Sequence, residues 1–421
     1  MSKWCAMSHP VRLSLATDRP TRMQQIAECF PHAPGPALDT AWQGGRTMAL
    51  QRLQDVDAES YARSRNHLSG AVTRLSPYLR HGCITLPEAL EHVLKHSDKR
   101  ASKLASELSY RDYFRQVWYR FGTQIIQEME PPKVTLGHNP LPDFISQGFT
   151  GLICMDEIVR SLQQRGYVHN HARMWLAAYL LHWLKVDWRQ AADWFEQQLL
   201  DGDIASNHLS WQWVASSFSN KPYYFNKENI IQFGGEAWCQ QCKIKCPFAS
   251  SYEALQQRLF PENIRDNGET DLQPLANTSQ SPLSTTSHAL SELVWVHDEM
   301  LSPGHPLHML DIPAIFVFDP EIHGHWPLKR LQFMADCLAE MPGTQIWHGN
   351  TRQVLTQLSQ GQISSMDTPQ PVLKQAVAGL QVRWQPEKRI TDVTLTDHQL
   401  MRFSRYWKVV APTLNDRFYT A

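Results

Sequence analysis

Between Arg265 and Ser291 the sequence becomes a run of Asn, Gln, Ser, Thr and Pro with few large apolar residues. Such a stretch cannot bury enough apolar surface to order itself, so the chain has to fold as something before it and something after it. The two sides follow different hydrophobic periods. From about Ser60 to Phe260 apolar residues recur at three and four, as in Leu104, Leu108, Tyr113 and Val117 and again in Leu176, Leu180 and Trp183, the spacing of amphipathic helices. Beyond the polar run, Leu293 to Val296 and Ala314 to Phe318 are continuous apolar runs of strand length, followed by a helix-like stretch from Leu328 to Ala339 and a further short run from Gln345 to Trp347. The pattern predicts a mostly α chain with an α/β part: an all-helical domain over residues 1–264, a linker over 265–291 and a small α/β domain over 292–421.

Charge narrows the function less than periodicity narrows the fold. Forty basic side chains face 41 acidic ones, for a net charge of -1. A nucleic-acid partner therefore has to be held by a local basic patch, for which Arg111, Arg115, Arg120, Lys221 and Lys227 are the candidates. The longest apolar stretch, Met174 to Leu184, contains His182 and is far short of the roughly 20 residues that span a bilayer. Met1 to Arg12 has no continuous apolar segment of the kind a secretory signal carries, so a reducing, cytoplasmic setting is expected. The protein is expected to be a monomer. Neither a P-loop nor a GxGxxG turn is present, so a nucleotide cofactor would be held in another way.

Two clusters carry chemistry. Eight cysteines are too sparse for a disulfide scaffold, but Cys239, Cys242 and Cys246 stand close together, and a Cys-x2-Cys spacing lets two thiolates reach one metal from a tight turn. Cys5, Cys29, Cys83 and Cys337 read as free core thiols. The second cluster runs from Tyr167 to Trp213, where His, Asn, Arg, Asp and Trp are set among apolar helix positions more densely than packing requires. Within it, Arg173 needs a carboxylate or an anionic ligand, and Asp201 and Asp203 are the natural partners, either as a structural ion pair or as part of a site.

This stretch, with landmarks spread over some 200 residues around it, resembles the FAD-binding helical domain of the photolyase and cryptochrome superfamily. The resemblance implies that Tyr61 and the segment from Gly70 to Gly82, through Thr73, Arg74, Leu75 and Ser76, cradle the FAD pyrophosphate; Val72 stands where the family usually has Thr. It implies that Glu107, Tyr110, Asn170 and His171 face the damaged bases, with His171 a proton donor. Arg111, Arg173, Asp201 and Asp203 would lie near the flavin and Asn207 would face its reactive N5. Trp211 and Trp188 match the inner and middle members of an electron relay, whose outer member is open between Trp183, Trp194 and a tyrosine.

The cysteines resemble those of the bacterial iron-sulfur photolyases. That likeness adds Cys154 as the fourth ligand beside Cys239, Cys242 and Cys246 and implies a [4Fe-4S] cluster, with structural zinc on the same thiolates as the rival; the loop between Cys242 and Cys246 is shorter than in those relatives. Domain order departs from the family too, since the helical domain comes first and a Rossmann-like, antenna-like domain follows, as in a circular permutant. His297, Asp298 and Glu299 follow the first strand where the family has a basic start, which leaves the antenna chromophore unassigned. The activity implied is light-dependent repair of UV-damaged DNA by electron transfer from reduced FAD to a pyrimidine photoproduct, with the cyclobutane dimer and the (6-4) product both open. The alternatives are a cryptochrome-like blue-light receptor without repair, and a flavin and iron-sulfur protein with no light function.

Overall fold

The computed structural model describes residues 9–95, 102–262, 292–359 and 361–418, so the expected linker and Cys5 lie outside the described residues. The chain divides into two compact units that do not follow the linear division. A sheet unit takes the described residues of Met1–Asp55, Arg74–Glu88 and Gln273–Arg389, and a helical unit those of Val56–Thr73, Ala89–Leu272 and Ile390–Ala421. The boundaries expected from periodicity, 1–264 and 292–421, therefore differ from the observed ones at both ends. The reason is long-range pairing, which no local pattern reports.

The sheet unit is built on six strands, β1 (Val11–Leu13), β2 (Leu293–Val296), β3 (Ala314–Phe318), β4 (Thr344–His348), β5 (Ile363–Met366) and β6 (Val382–Gln385), in the order β1-β4-β3-β2-β5-β6. All pairs are parallel except that of β1 with β4, where Val11 faces His348 and Leu13 faces Ile346 in antiparallel register. From β2 the order runs outward to β3 and β4 on one side and to β5 and β6 on the other, the doubly wound arrangement. Because β2 and β3 are buried along their whole length, they read as unbroken apolar runs. The helix Leu328–Ala339 packs against the helix Arg19–Cys29, and Asp336 accepts from both Arg19 and Arg22 at 2.9 Å, which ties the N-terminal residues to this unit.

In the helical unit the principal elements are Ser102–Phe121, Ile153–Arg165, Asn170–Ala178, Trp188–Gln198, Ile204–Ala215 and Phe403–Phe418. Their ends are specified locally. Asp187 and Asp203 cap the helices that follow them by accepting the backbone N–H of Arg189 and Ser206, and Gly166, with φ 65°, ends Ile153–Arg165 in the left-handed region. After Asn170–Ala178 the chain makes a π-helical turn, Tyr179–Trp183, a local widening often found near functional residues. The core of this unit gathers Trp175, Leu176, Leu180, Trp188, Phe195, Trp211, Phe225 and Phe248. No described helix is long and apolar enough to cross a membrane.

Candidate flavin and lesion site

Within the helical unit, several of the residues singled out between Tyr61 and Asn207 make direct contacts. Arg173 donates twice to Asp201, at 2.9 and 3.1 Å, and its guanidinium lies 5.6 Å from the Tyr167 ring and 5.9 Å from the Phe195 ring. The expected pairing of Arg173 with Asp201 is thus made. Arg111, one face along Ser102–Phe121, lies 3.4 Å from Asp203, whose other oxygen caps the next helix, so a single carboxylate fixes both a helix start and a guanidinium.

On that same helix Glu107 pairs with Lys103 at 2.5 Å and Arg65 at 3.6 Å. Tyr61 and Tyr110 lie near it: burial, then the Glu107 charge, raises the pKa of both phenols, that of Tyr110 to about 12. Both therefore stay protonated and have an O–H to donate. Tyr110 stacks on Phe403, with ring centroids 3.5 Å apart and planes at 11°.

Asn170 opens its helix with an exposed side chain, and His169 caps it by accepting the N–H of His171 at 3.1 Å. The Nε2 atoms of His169 and His171 are buried without a well-formed hydrogen bond, the state of groups that face a ligand. Burial lowers the pKa of both, to about 4 for His169. A lowered pKa favours the uncharged imidazole of His171, which still carries one ring N–H to donate.

Asn207 is almost wholly buried. Its Oδ1 accepts from Trp211 Nε1 at 3.1 Å and its Nδ2 donates to the Ala192 carbonyl at 2.8 Å, which fixes the amide's orientation and leaves one N–H to offer. Trp188, at 2% exposure, donates to Glu128 at 3.0 Å. Trp211 meets the Phe195 ring at 5.8 Å, the ring that also lies beside Arg173.

Other expectations fare differently. The segment read as a phosphate cradle is divided, Thr73 lying in the helical unit and Arg74, Leu75 and Ser76 in the sheet unit. Leu75 is fully buried, so its side chain serves a core; Arg74 is exposed at φ 53°. The basic patch is also depleted. Arg115 is buried and lies 5.6 Å from the rings of Trp118 and Tyr119, Arg111 is paired with Asp203 and Arg120 with Asp397. Sequence reasoning missed Arg65, Tyr167 and Phe403. Arg65 could have been found four residues after Tyr61, where it caps the short helix Ala58–Ser64, whereas nothing local marks Phe403.

The four cysteines belong to one core cluster or pack against it. Cys154 sits in the first turn of Ile153–Arg165, Cys239 in the short helix Ala237–Gln241, Cys242 ends that helix and Cys246 follows in the loop, all packed into the core around Phe248. Burial first, and then the neighbouring Cys239, Cys246 and Cys242, pushes the Cys154 thiol up to about 12; Cys239 and Cys246 are raised by the same two causes. Thiols that raise one another in an apolar setting are a soft ligand set, whose protons a metal would displace. Among the described residues, however, no group of three or more His, Cys, Asp and Glu stands close enough to hold a single metal ion.

Residues 104–241 match the family described as the FAD binding domain of DNA photolyase. The chain is 32% identical over 206 residues to cryptochrome DASH of Xenopus laevis, covering 45% of this chain and 39% of that protein. It is 31% identical over 178 residues to a deoxyribodipyrimidine photo-lyase of Streptomyces griseus, covering 42% and 39%. Among solved structures, a cryptochrome of Synechocystis is 28% identical, covers 49% of this chain and 47% of that one, and superposes with a TM-score of 0.44. The chain thus spans about two fifths of the length of the curated relatives named here.

Proposed function

Because the chain belongs to the photolyase and cryptochrome superfamily, we propose that its helical unit binds FAD and that the protein repairs UV-induced pyrimidine photoproducts in DNA in a light-dependent way. The observation that carries the reading is the Arg173 guanidinium, held by Asp201 and set beside the Tyr167 and Phe195 rings, with Glu107 paired to Arg65 in the same unit. FAD, when bound and reduced, supplies the electron that splits the lesion.

The protein's residues bind and orient. Arg173 and Arg111, each steadied by a carboxylate, offer cations toward an anionic cofactor, and Asn207 offers its remaining N–H. The Tyr110 phenol and the neutral His171 are hydrogen-bond donors of the kind that reads the edge of a flipped base, and Glu107 is an acceptor beside them. Trp211 and Trp188 would pass electrons inward. Thr73, Arg74, Leu75 and Ser76 are retained as a backbone cradle for the pyrophosphate, Asn170 as a contact to DNA, and the domain order is taken to be permuted with an antenna-like sheet unit. A cytoplasmic monomer completes the reading.

The same proposal places an iron-sulfur cluster on Cys154, Cys239, Cys242 and Cys246, supported by the mutual influence of their thiols. Metal analysis tests it, since zinc in place of iron and sulfide would replace it. The rival activity, a blue-light receptor without repair, is favoured by the likeness to cryptochrome DASH. One assay separates them: oligonucleotides carrying either photoproduct are incubated with the reduced protein in blue light and in darkness. Light-dependent loss of one lesion establishes repair and names the substrate, while photoreduction of flavin with neither lesion lost leaves the receptor.

A further inference from the structure

The helix Phe403–Phe418 and the turn before it lie outside the stretch that matches the FAD binding domain, yet they are fastened to its first helix. Arg402 grips Glu130 through both oxygens, at 2.7 and 2.8 Å, and donates to Asn220 at 3.1 Å. Burial works against the charge of Glu130, but hydrogen bonds from Arg402 and Lys133 outweigh it and hold the carboxyl below its usual range. Tyr113 donates to the Leu400 carbonyl at 2.8 Å, Tyr406 to Asp112 at 2.7 Å, and Arg120 pairs with Asp397. These anchors lie on both sides of Phe403. They press its ring flat against Tyr110, whereas the contacts of Tyr110 within its own helix, to Tyr113 at 86° and Phe114 at 51°, are tilted. Trp407 backs Phe403 at 5.9 Å and 13°.

We propose that Phe403 is a positioning residue for lesion binding: the segment 397–407 closes one face of Tyr110 and fixes the direction in which its other face and its hydroxyl meet a flipped pyrimidine photoproduct. A tyrosine turns about two soft torsions, and a flat partner on one face removes most of that freedom before the base arrives. The proposal rests on the reading of Tyr110 as a lesion-facing residue. It adds a part of the chain that the matched domain does not contain.

The test is dark equilibrium binding, by fluorescence anisotropy, of a short single-stranded oligonucleotide with one pyrimidine photoproduct and of its undamaged counterpart. Phe403→Ala is expected to weaken binding of the damaged strand about tenfold and to leave the undamaged strand within about twofold. Phe403→Leu, which keeps volume without a flat face, should behave like the alanine variant, and Phe403→Tyr should restore the parent value. Adding Phe403→Ala to Tyr110→Ala should cost nothing further if the two act as a unit. Parent-like binding by the alanine and leucine variants, with Tyr110→Ala weakened, overturns the positioning role and leaves the lesion reading intact. A Tyr110→Ala variant with unchanged preference for damage overturns both, and a parent with no such preference overturns the repair reading itself. Should the alanine variant fail to fold, the leucine and tyrosine variants carry the same decision.

Discussion

In the sheet unit Arg80 meets Asp298 at 2.7 Å with side chains 2% and 0% exposed, whereas in the helical unit Arg173 meets Asp201 at 2.9 Å with side chains 23% and 6% exposed. The same two chemical groups make the same contact in different surroundings. Around Arg80 the polar groups are shut away from solvent: Glu299 accepts from Gln370 at 2.7 Å, His297 meets the Met366 carbonyl at 3.0 Å and His81 meets the Asp298 carbonyl at 2.9 Å. Around Arg173 the pair stays partly open to solvent, with the guanidinium 23% exposed. A sealed network specifies a structure, while an open one can take up something else.

The sharpest way to break this contrast is to remove the cation from each pair. Arg80→Met strands a fully buried carboxylate and should cost about 3–5 kcal/mol in denaturant unfolding followed by circular dichroism. Tolerance of it within about 1 kcal/mol would mean that the sheet unit's charges are not sealed.

Acid distinguishes the units less and tests both. His182 in the helical unit and His323 in the sheet unit are fully buried, and burial lowers their pKa values to about 3 and about 4. The unfolded chain, with histidines near 6.5, binds their protons first, so this stability is complete above about pH 6.5 and is lost as pH falls toward 4. Each should contribute a loss of about 2 kcal/mol by pH 5, seen as a drop in the unfolding midpoint, and replacing either by Gln should flatten its share.

Arg173→Met should cost only about 1 kcal/mol, because its partner is less enclosed, but on the proposed reading it should purify with far less flavin than the parent, measured by absorbance after heat release. Normal flavin content would separate Arg173 from the cofactor. The smallest effect expected is that of Tyr406→Phe, which removes one hydrogen bond to Asp112 and should lower stability by about 1 kcal/mol.

Much of this was legible in the sequence where the physics is local. β2, β3 and the helix Leu328–Ala339 stand where apolar runs and helical spacing put them, since full burial leaves no choice but apolar side chains. β5 hid because two of its four residues are serines, and Ser365 is buried by donating to the Trp295 carbonyl, a satisfaction that only the neighbouring strand supplies. β1, three residues long, carries no period at all. The Arg173 and Asp201 pair was foreseeable because a guanidinium among apolar residues demands an anion. The Phe403 stack on Tyr110 was not, because nearly three hundred residues separate rings that only the folded chain brings together.

The antiparallel seat of β1 beside β4 has a consequence for how the chain is made. Its partner strand is translated about 330 residues later, so at roughly 5–20 residues per second the first strand leaves the ribosome some 20–70 seconds before it can pair. The helical unit waits as well, for the helix Phe403–Phe418 that fastens to Ser102–Phe121. The sheet unit cannot close before Thr344–His348 has been made, nor the helical unit before Phe403–Phe418, which makes the nascent chain a long-lived client for chaperones.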